Sequence, residues 1–189
     1  MKHLTLSFLL AIFCASACFA QSSDLRAFGV KGKVKRIATS EGKGVAFDKN
    51  GKVFSIRIGS DYGKSIKHSN GRLSYVNYPS IEEGQLPTTQ QYSYANGVLS
   101  SVITEGHEFE ERLYYSNYKN GLPTTVKILC VGESFIEEGT CKITYTQYDS
   151  HGNWTRCVWS GTLRCSDDGG YSYYNRKQND TITRQIFYY

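Results

Sequence analysis

Tyr148-Asp149-Ser150-His151-Gly152-Asn153-Trp154-Thr155-Arg156 decides how this chain is read, because an aromatic residue, an acid, two polar residues and a glycine stand before a fresh apolar run. That order is the signature of a β-hairpin turn, with Tyr148, Asp149 and Gly152 as its fixed points. Upstream, four Asn-Gly pairs stand between segments rich in Tyr, Val, Ile and Thr: Asn50-Gly51, Asn70-Gly71, Asn96-Gly97 and Asn120-Gly121. Asn-Gly suits a type I′ turn, whose two central residues need φ > 0 and whose twist matches the strands it joins. The chain therefore reads as a series of hairpins.

Pairing outward from each turn gives a checkable register. Around Asn50-Gly51, Phe47 faces Phe54 and Val45 faces Ile56; around Asn70-Gly71, Ile66 faces Tyr75 and His68 faces Leu73. Around Asn96-Gly97, Tyr94 faces Leu99; around Asn120-Gly121, Tyr115 faces Val126 and Leu113 faces Ile128. Apolar residues then gather on one face, as an antiparallel sheet over a core requires. No window sustains helical periodicity. The expected fold is all-β: an antiparallel meander of consecutive hairpins forming one large twisted sheet that curls toward a barrel. Residues 81–84 fall in the expected long loop, and residues 171–174 and 181–189 are read as two closing strands.

Residues 1–20 carry Lys2 and His3, an apolar run and small residues ending in Ala20, the layout of a secretory signal peptide. Residues 21–29 read as a flexible lead-in and residues 30–189 as a single domain. A second reading of the leader takes Ala15-Ser16-Ala17-Cys18 as a lipobox with Cys18 as a lipid anchor. No later apolar stretch reaches the length of a membrane-spanning helix. The expected location is the periplasm or surface of a Gram-negative bacterium, or the medium.

Without the leader, the 189 residues become about 169, enough for a sizeable core, and the net charge falls from +5 by one lysine, 5 − 1 = +4. Lys31, Lys33, Lys35 and Arg36 alternate as one solvated strand face would, and nothing resembles the clustered basic stripe of a nucleic-acid binder. Export also gives the cysteines a meaning. Cys130, Cys141, Cys157 and Cys165 remain, an even number in an oxidising compartment, and two disulfides are expected. Three connectivities are open; symmetric closure of a hairpin between residues 127 and 145 favours Cys130 with Cys141, and a loop at Ser160-Gly161-Thr162 favours Cys157 with Cys165. A zinc site would want a Cys-x-x-Cys spacing, which is absent.

The turn motif carries a family likeness. Tyr148-Asp149-Ser150-His151-Gly152-Asn153 resembles the YD motif of RHS (YD-repeat) proteins, and Phe47-Asp48-Lys49-Asn50-Gly51-Lys52-Val53 is similar with Phe in place of Tyr. The whole layout resembles small exported RHS-like proteins of Bacteroidetes. In large RHS proteins the resemblance would imply a β-shell around a toxin domain; this chain has neither the length for that shell nor a toxin segment.

No motif assembles a reaction. His107-Glu108-Phe109-Glu110-Glu111 sets an imidazole beside three carboxylates, but on a strand Glu108 and Glu110 leave the face shared by His107, Phe109 and Glu111. Gly132-Glu133-Ser134-Phe135-Ile136 lacks the second glycine of a nucleophile elbow, and Gly59-Ser60-Asp61-Tyr62-Gly63-Lys64-Ser65 is one residue short of a phosphate loop with no helix to follow. No cofactor or metal is implied, and Asp167-Asp168-Gly169-Gly170 reads as a turn. The 15 tyrosines are the remaining candidates: Tyr92, Tyr94, Tyr114, Tyr171 and Tyr173 could form an aromatic surface for a protein or glycan. The expectation is a non-enzymatic exported scaffold binding through its sheet face. The alternatives are a hydrolase or lyase whose His107, Glu108 and Glu110 converge only in the fold, and an inhibitor or immunity-type protein.

Overall fold

A computed structural model describes residues 23–189 except 60 and 81–84; the leader with Cys14 and Cys18, and residues 81–84 of the long loop expected from Pro79 to Pro87, lie outside the described residues. Asn-Gly turns and alternating apolar residues produce one antiparallel sheet of thirteen strands. They are β1 (Val34–Thr39), β2 (Gly44–Phe47), β3 (Val53–Ile58), β4 (Asp61–Tyr62), β5 (Ser65–Ser69), β6 (Arg72–Tyr78), β7 (Thr88–Ala95), β8 (Val98–Gly106), β9 (Phe109–Lys119), β10 (Leu122–Gly132), β11 (Ile136–Tyr148), β12 (Trp154–Ser166) and β13 (Tyr174–Tyr188). One short helix, α1 (Ser23–Ala27), precedes them.

The sheet order is β4-β3-β2-β1-β13-β12-β11-β10-β9-β8-β7-β6-β5. Sequence neighbours pair throughout except β4 with β5, and the last strand lies against the first, Ile37 opposite Ile186. That order leaves β4 and β5, consecutive in the chain, at opposite edges. Laid flat, the strands would hold those edges on the order of 58 Å apart, whereas the link Gly63-Lys64 reaches only about 10 Å. The sheet must therefore curl. It is twisted but not closed into a barrel. Its ends meet at Gly63, whose N–H donates to the Ile56 carbonyl of β3 at 2.9 Å, while the Lys64 N–H donates to the Asn77 carbonyl of β6 at 2.9 Å. A Cβ on Gly63 would come within 2.5 Å of Val76 and 3.0 Å of Ile56, so the approach depends on glycine.

Three Asn-Gly turns have both central residues left-handed, as type I′ requires: Asn70 and Gly71 (φ 51° and 73°), Asn96 and Gly97 (52° and 82°), Asn120 and Gly121 (54° and 79°). The fourth differs. At Asn50-Gly51 only Gly51 is left-handed, and the reversal is built by Asp48: its N–H donates to the Lys52 carbonyl, and its carboxylate accepts from the N–H groups of Asn50 (2.8 Å) and Lys52 (2.9 Å). The turn opening at Asp149 repeats this bond for bond, with His151 and Asn153 N–H groups on the carboxylate at 2.9 Å and Gly152 left-handed. The two YD-like stretches thus fold into the same turn, for which the Asp is the shared cause.

The registers of Val45 with Ile56, His68 with Leu73, Tyr94 with Leu99, Tyr115 with Val126 and Leu113 with Ile128 are as expected. Irregularities displace two others: Phe47 lies opposite Val53, and Ile66 opposite Val76. In place of the two expected closing strands there is one: residues 171–173 form no strand, and β13 then runs from Tyr174 to Tyr188 without a Gly or Pro to interrupt it.

The disulfides are not formed. All four cysteines are free thiols. The β10–β11 hairpin turns at Gly132–Phe135, which sets Cys130 opposite Glu137 and leaves Cys141 beside Val126. The segment Ser160-Gly161-Thr162 lies inside β12, so Cys157 and Cys165 stand on one strand, eight residues or roughly 26 Å apart.

Side chains of two adjoining clusters fill the concave face. Val34, Ile37, Val45, Phe47 and Ile56 of β1–β3 meet Leu73, Val76, Tyr78, Tyr92 and Val102 of β6–β8, and Leu113, Val126, Ile128, Ile143, Leu163 and Ile182 continue the core along β9–β13. Tyr115 packs against both. Residues 23–29, expected as a flexible lead-in, fold onto the end of the sheet that carries the Asn-Gly turns. Leu25 and Phe28 join the core and Asp24 is fully buried.

Candidate functional site

The residues of the concave face that do not meet across the sheet enclose a cavity of about 250 Å³, its apolar wall formed by Phe28, Tyr92, Val102, Leu113, Tyr115 and Trp154 among others. Strand alternation places them: Leu113 and Tyr115 share the inner face of β9, Ile143 and Tyr145 that of β11, and Ile182 and Arg184 that of β13. Few polar groups enter, and each has a defined setting. Tyr78 and Tyr92 hydroxyls both donate to Gln90 Oε1 at 2.9 Å, and the Gln90 amide donates to Thr104 Oγ1 at 3.3 Å. Glu111 faces inward near Lys43 and Glu41; burial raises its carboxyl above the ordinary value, Lys43 pulling it down and Glu41 up.

Arg184 is the charged group set deepest in this wall, 6% exposed. Its guanidinium donates to the carbonyls of Trp154 (2.5 Å), Phe28 (2.7 Å) and Gly29 (3.0 Å) and lies 3.6 Å from the centre of the Trp154 ring. No carboxylate forms an ion pair with it among the described residues. Burial pushes it down to about 9, so it is cationic at neutral pH.

Beside Arg184 the sheet wall is incomplete. The β10–β11 ladder begins only at Thr125 opposite Lys142, although β10 starts at Leu122 and β11 runs on to Tyr148. Pro123 stands in this gap without an N–H to offer a ladder, and the Tyr145 hydroxyl spans it by donating to the Pro123 carbonyl at 2.9 Å. A recess of about 600 Å³ opens there, and it shares Arg26, Gly29, Gly121, Leu122, Ile143 and Tyr145 with the cavity. The gap is a side window onto the interior.

The residues singled out from sequence are dispersed. Tyr92 and Tyr94, expected on a binding surface, belong to the core: Tyr92 is buried, and the Tyr94 hydroxyl is buried without a hydrogen-bond partner. Curling of the sheet turned their face inward. Tyr114, Tyr171 and Tyr173 are exposed; Tyr171 sits on a bend between strands, and Tyr173 lies under the Arg164 guanidinium at 3.6 Å. His107 and Glu108 form a pair at 3.4 Å on the exposed β8–β9 turn, and Glu110 bonds to Arg112. Among the described residues no group of His, Cys, Asp and Glu could hold a metal ion. Among the described residues lining the cavity, the carboxylate is Glu111.

Asp24 and Arg184 were not singled out from sequence. Arg184 left a trace, a lone cation in the alternation Ile182, Arg184, Ile186, Tyr188. Asp24 left none, since its partners lie 29 to 49 residues away. No protein-family model matches the chain, and a search for similar curated proteins finds none.

Proposed function

We propose that this chain is an exported, non-enzymatic binding scaffold of the RHS-like kind that holds a small apolar ligand inside its curled sheet. The observation that carries the proposal is the cavity itself: aromatic side chains surround it, and a few fixed polar groups converge on it, the usual make-up of a ligand site. A cavity of about 150 Å³ holds one benzene ring, so about 250 Å³ suits one or two rings or a short acyl chain, and the adjoining recess of about 600 Å³ gives room for a further ring. The outer face offers less. Several of its aromatics lie beneath cations, as Phe187 beneath Arg36 and Tyr62 beneath Arg57. The binding face in this reading is therefore the inner one. The leader in residues 1–20 supports export.

The test is a fluorescence titration of the purified protein with N-phenyl-1-naphthylamine, an uncharged apolar dye. Saturable one-to-one binding is expected, together with its loss in L99W, which places an indole in the cavity lined by Leu99. Absence of saturable binding, or unchanged binding to a folded L99W, rejects the proposal and returns attention to a protein or glycan on the outer face.

A further inference from the structure

Four cations, Arg26, Lys31, Lys119 and Lys142, border the side window between β10 and β11, and no Asp or Glu lies among the described residues lining it. None of the four takes part in an ion pair among the described residues. Some cations elsewhere have a carboxylate beside them, as Arg164 has Glu138 and Arg176 has Glu137; what sets the window apart is a described lining that holds four cations and no acid. Four unpaired cations around one recess raise the local potential for anions, since like charges held together repel and an arriving anion relieves that repulsion.

Their positions are built by the fold. Asn153, 1% exposed, receives the Lys31 N–H on its side-chain oxygen at 2.7 Å and donates its amide to the Lys31 carbonyl at 3.0 Å, which fixes that segment at the rim. The acid of the same turn, Asp149, is already engaged by the Tyr188 hydroxyl and the N–H groups of His151 and Asn153. Lys119 precedes the Asn120-Gly121 turn, and Lys142 marks the point where the ladder stops. Just inside, Arg184 adds a buried positive charge that forms no ion pair among the described residues, Asp149 acting on it only through the wider field.

Taking the interior cavity as the ligand site, we propose that the ligand is an anionic amphiphile. Its apolar body fills the cavity, and its carboxylate, sulfonate or phosphate lies in the window between β10 and β11 among Arg26, Lys31, Lys119 and Lys142. The shared lining residues make this one continuous site, apolar within and cationic at its opening. The ligand would enter through the gap at Pro123.

Two dyes separate this inference from the reading it rests on. 1-Anilinonaphthalene-8-sulfonate adds a sulfonate to the ring system of N-phenyl-1-naphthylamine. The sulfonated dye should bind about tenfold tighter at low salt, and the advantage should shrink as salt screens the rim. K119Q/K142Q should weaken the sulfonated dye about tenfold, at roughly threefold per rim charge, and leave the neutral dye within about twofold. The control K49Q/K52Q removes the same charge from an exposed turn and should change neither. If the neutral dye binds and the sulfonated dye binds no better, the cationic window is refuted and the apolar cavity stands. The window is equally refuted if the control variant weakens the sulfonated dye as much as K119Q/K142Q does. If neither dye binds, the cavity reading fails and takes this inference with it.

Discussion

Replacing Asp24 by alanine should open the seam of the sheet. One Asp24 oxygen accepts the Leu73 N–H at 2.7 Å; the other accepts the Val53 N–H at 2.9 Å and meets His68 Nε2 at 2.9 Å. Val53 begins β3 and Leu73 lies in β6, so this carboxylate joins the two ends of the curled sheet at the turn end, as Gly63 and Lys64 do at the other. Both amides are in buried residues, and each left without an acceptor costs about 1–3 kcal/mol. Two of them make roughly 2–6 kcal/mol, partly offset because the variant no longer buries a carboxylate. A net loss of about 3 kcal/mol is a large share of the roughly 5–15 kcal/mol that holds a domain folded.

With a urea slope near 2 kcal/mol per molar, that loss lowers the unfolding midpoint by about 1.5 M. The assay is urea unfolding followed by fluorescence of Trp154 and Trp159 and by far-ultraviolet circular dichroism. D24N keeps one acceptor oxygen and should lose about half as much. In D24A the amides of Val53 and Leu73 should exchange with solvent faster than those of β11 and β12. H68A should be milder, and the D24A/H68A double variant should show less than the sum of the two. A D24A midpoint within about 0.3 M of the parent would refute the seam argument, because two buried amides would then have found other acceptors without cost.

Two further outcomes follow from the same geometry. Mass mapping of unreduced protein should find Cys130, Cys141, Cys157 and Cys165 free after unfolding, and in the native state Cys130 should be alkylated first of these, because Cys141, Cys157 and Cys165 are buried; burial first, then nearby carboxylates, also pushes Cys130 up to about 11, so even this thiol should react slowly at neutral pH. A disulfide in the native protein would contradict the registers of β10–β12. The Asp149 carboxyl is held below its ordinary value: burial works against this, but the bonds from Tyr188, Asn153 and His151 outweigh it. A depressed carboxyl contributes stability above its unfolded value, near 3.9, and loses it as pH falls through the folded value. Wild-type protein should therefore lose more stability than D149N between about pH 5 and pH 2, and parallel pH profiles would show that the bonds do not favour the charged form.

The hairpins were legible because their causes are local. An Asn-Gly pair needs no distant partner to favour two left-handed residues, and an Asp can cap its own turn from two and four residues away, as Asp48 and Asp149 do. Alternation then set which residues share a face, so Val45 with Ile56 and Leu113 with Ile128 could be paired from sequence alone. Register failed where a single irregularity intervened, as between Lys67 and His68, because one extra residue shifts the pairings beyond it and sets Ile66 opposite Val76 instead of Tyr75. The disulfide expectation fell on turn position: a turn at Gly132–Phe135 instead of one nearer Ile136 moved Cys130 away from Cys141, and the absence of a turn at Ser160-Gly161-Thr162 left Cys157 and Cys165 on one strand.

How far the sheet curls, and which face it turns inward, is what the tertiary structure alone decided. Whether an aromatic face looks out to solvent or in to a cavity depends on the pairing of β1 with β13, two strands about 150 residues apart in the chain, and on the contacts at Gly63 and Asp24 that hold the ends together. Nothing local encodes those meetings. The sequence by itself determined the strands, most of their turns and the polarity of their faces, since each of these follows from residues within a hairpin; the cavity, its buried Arg184 and its cationic window exist only because distant hairpins were brought around to face one another.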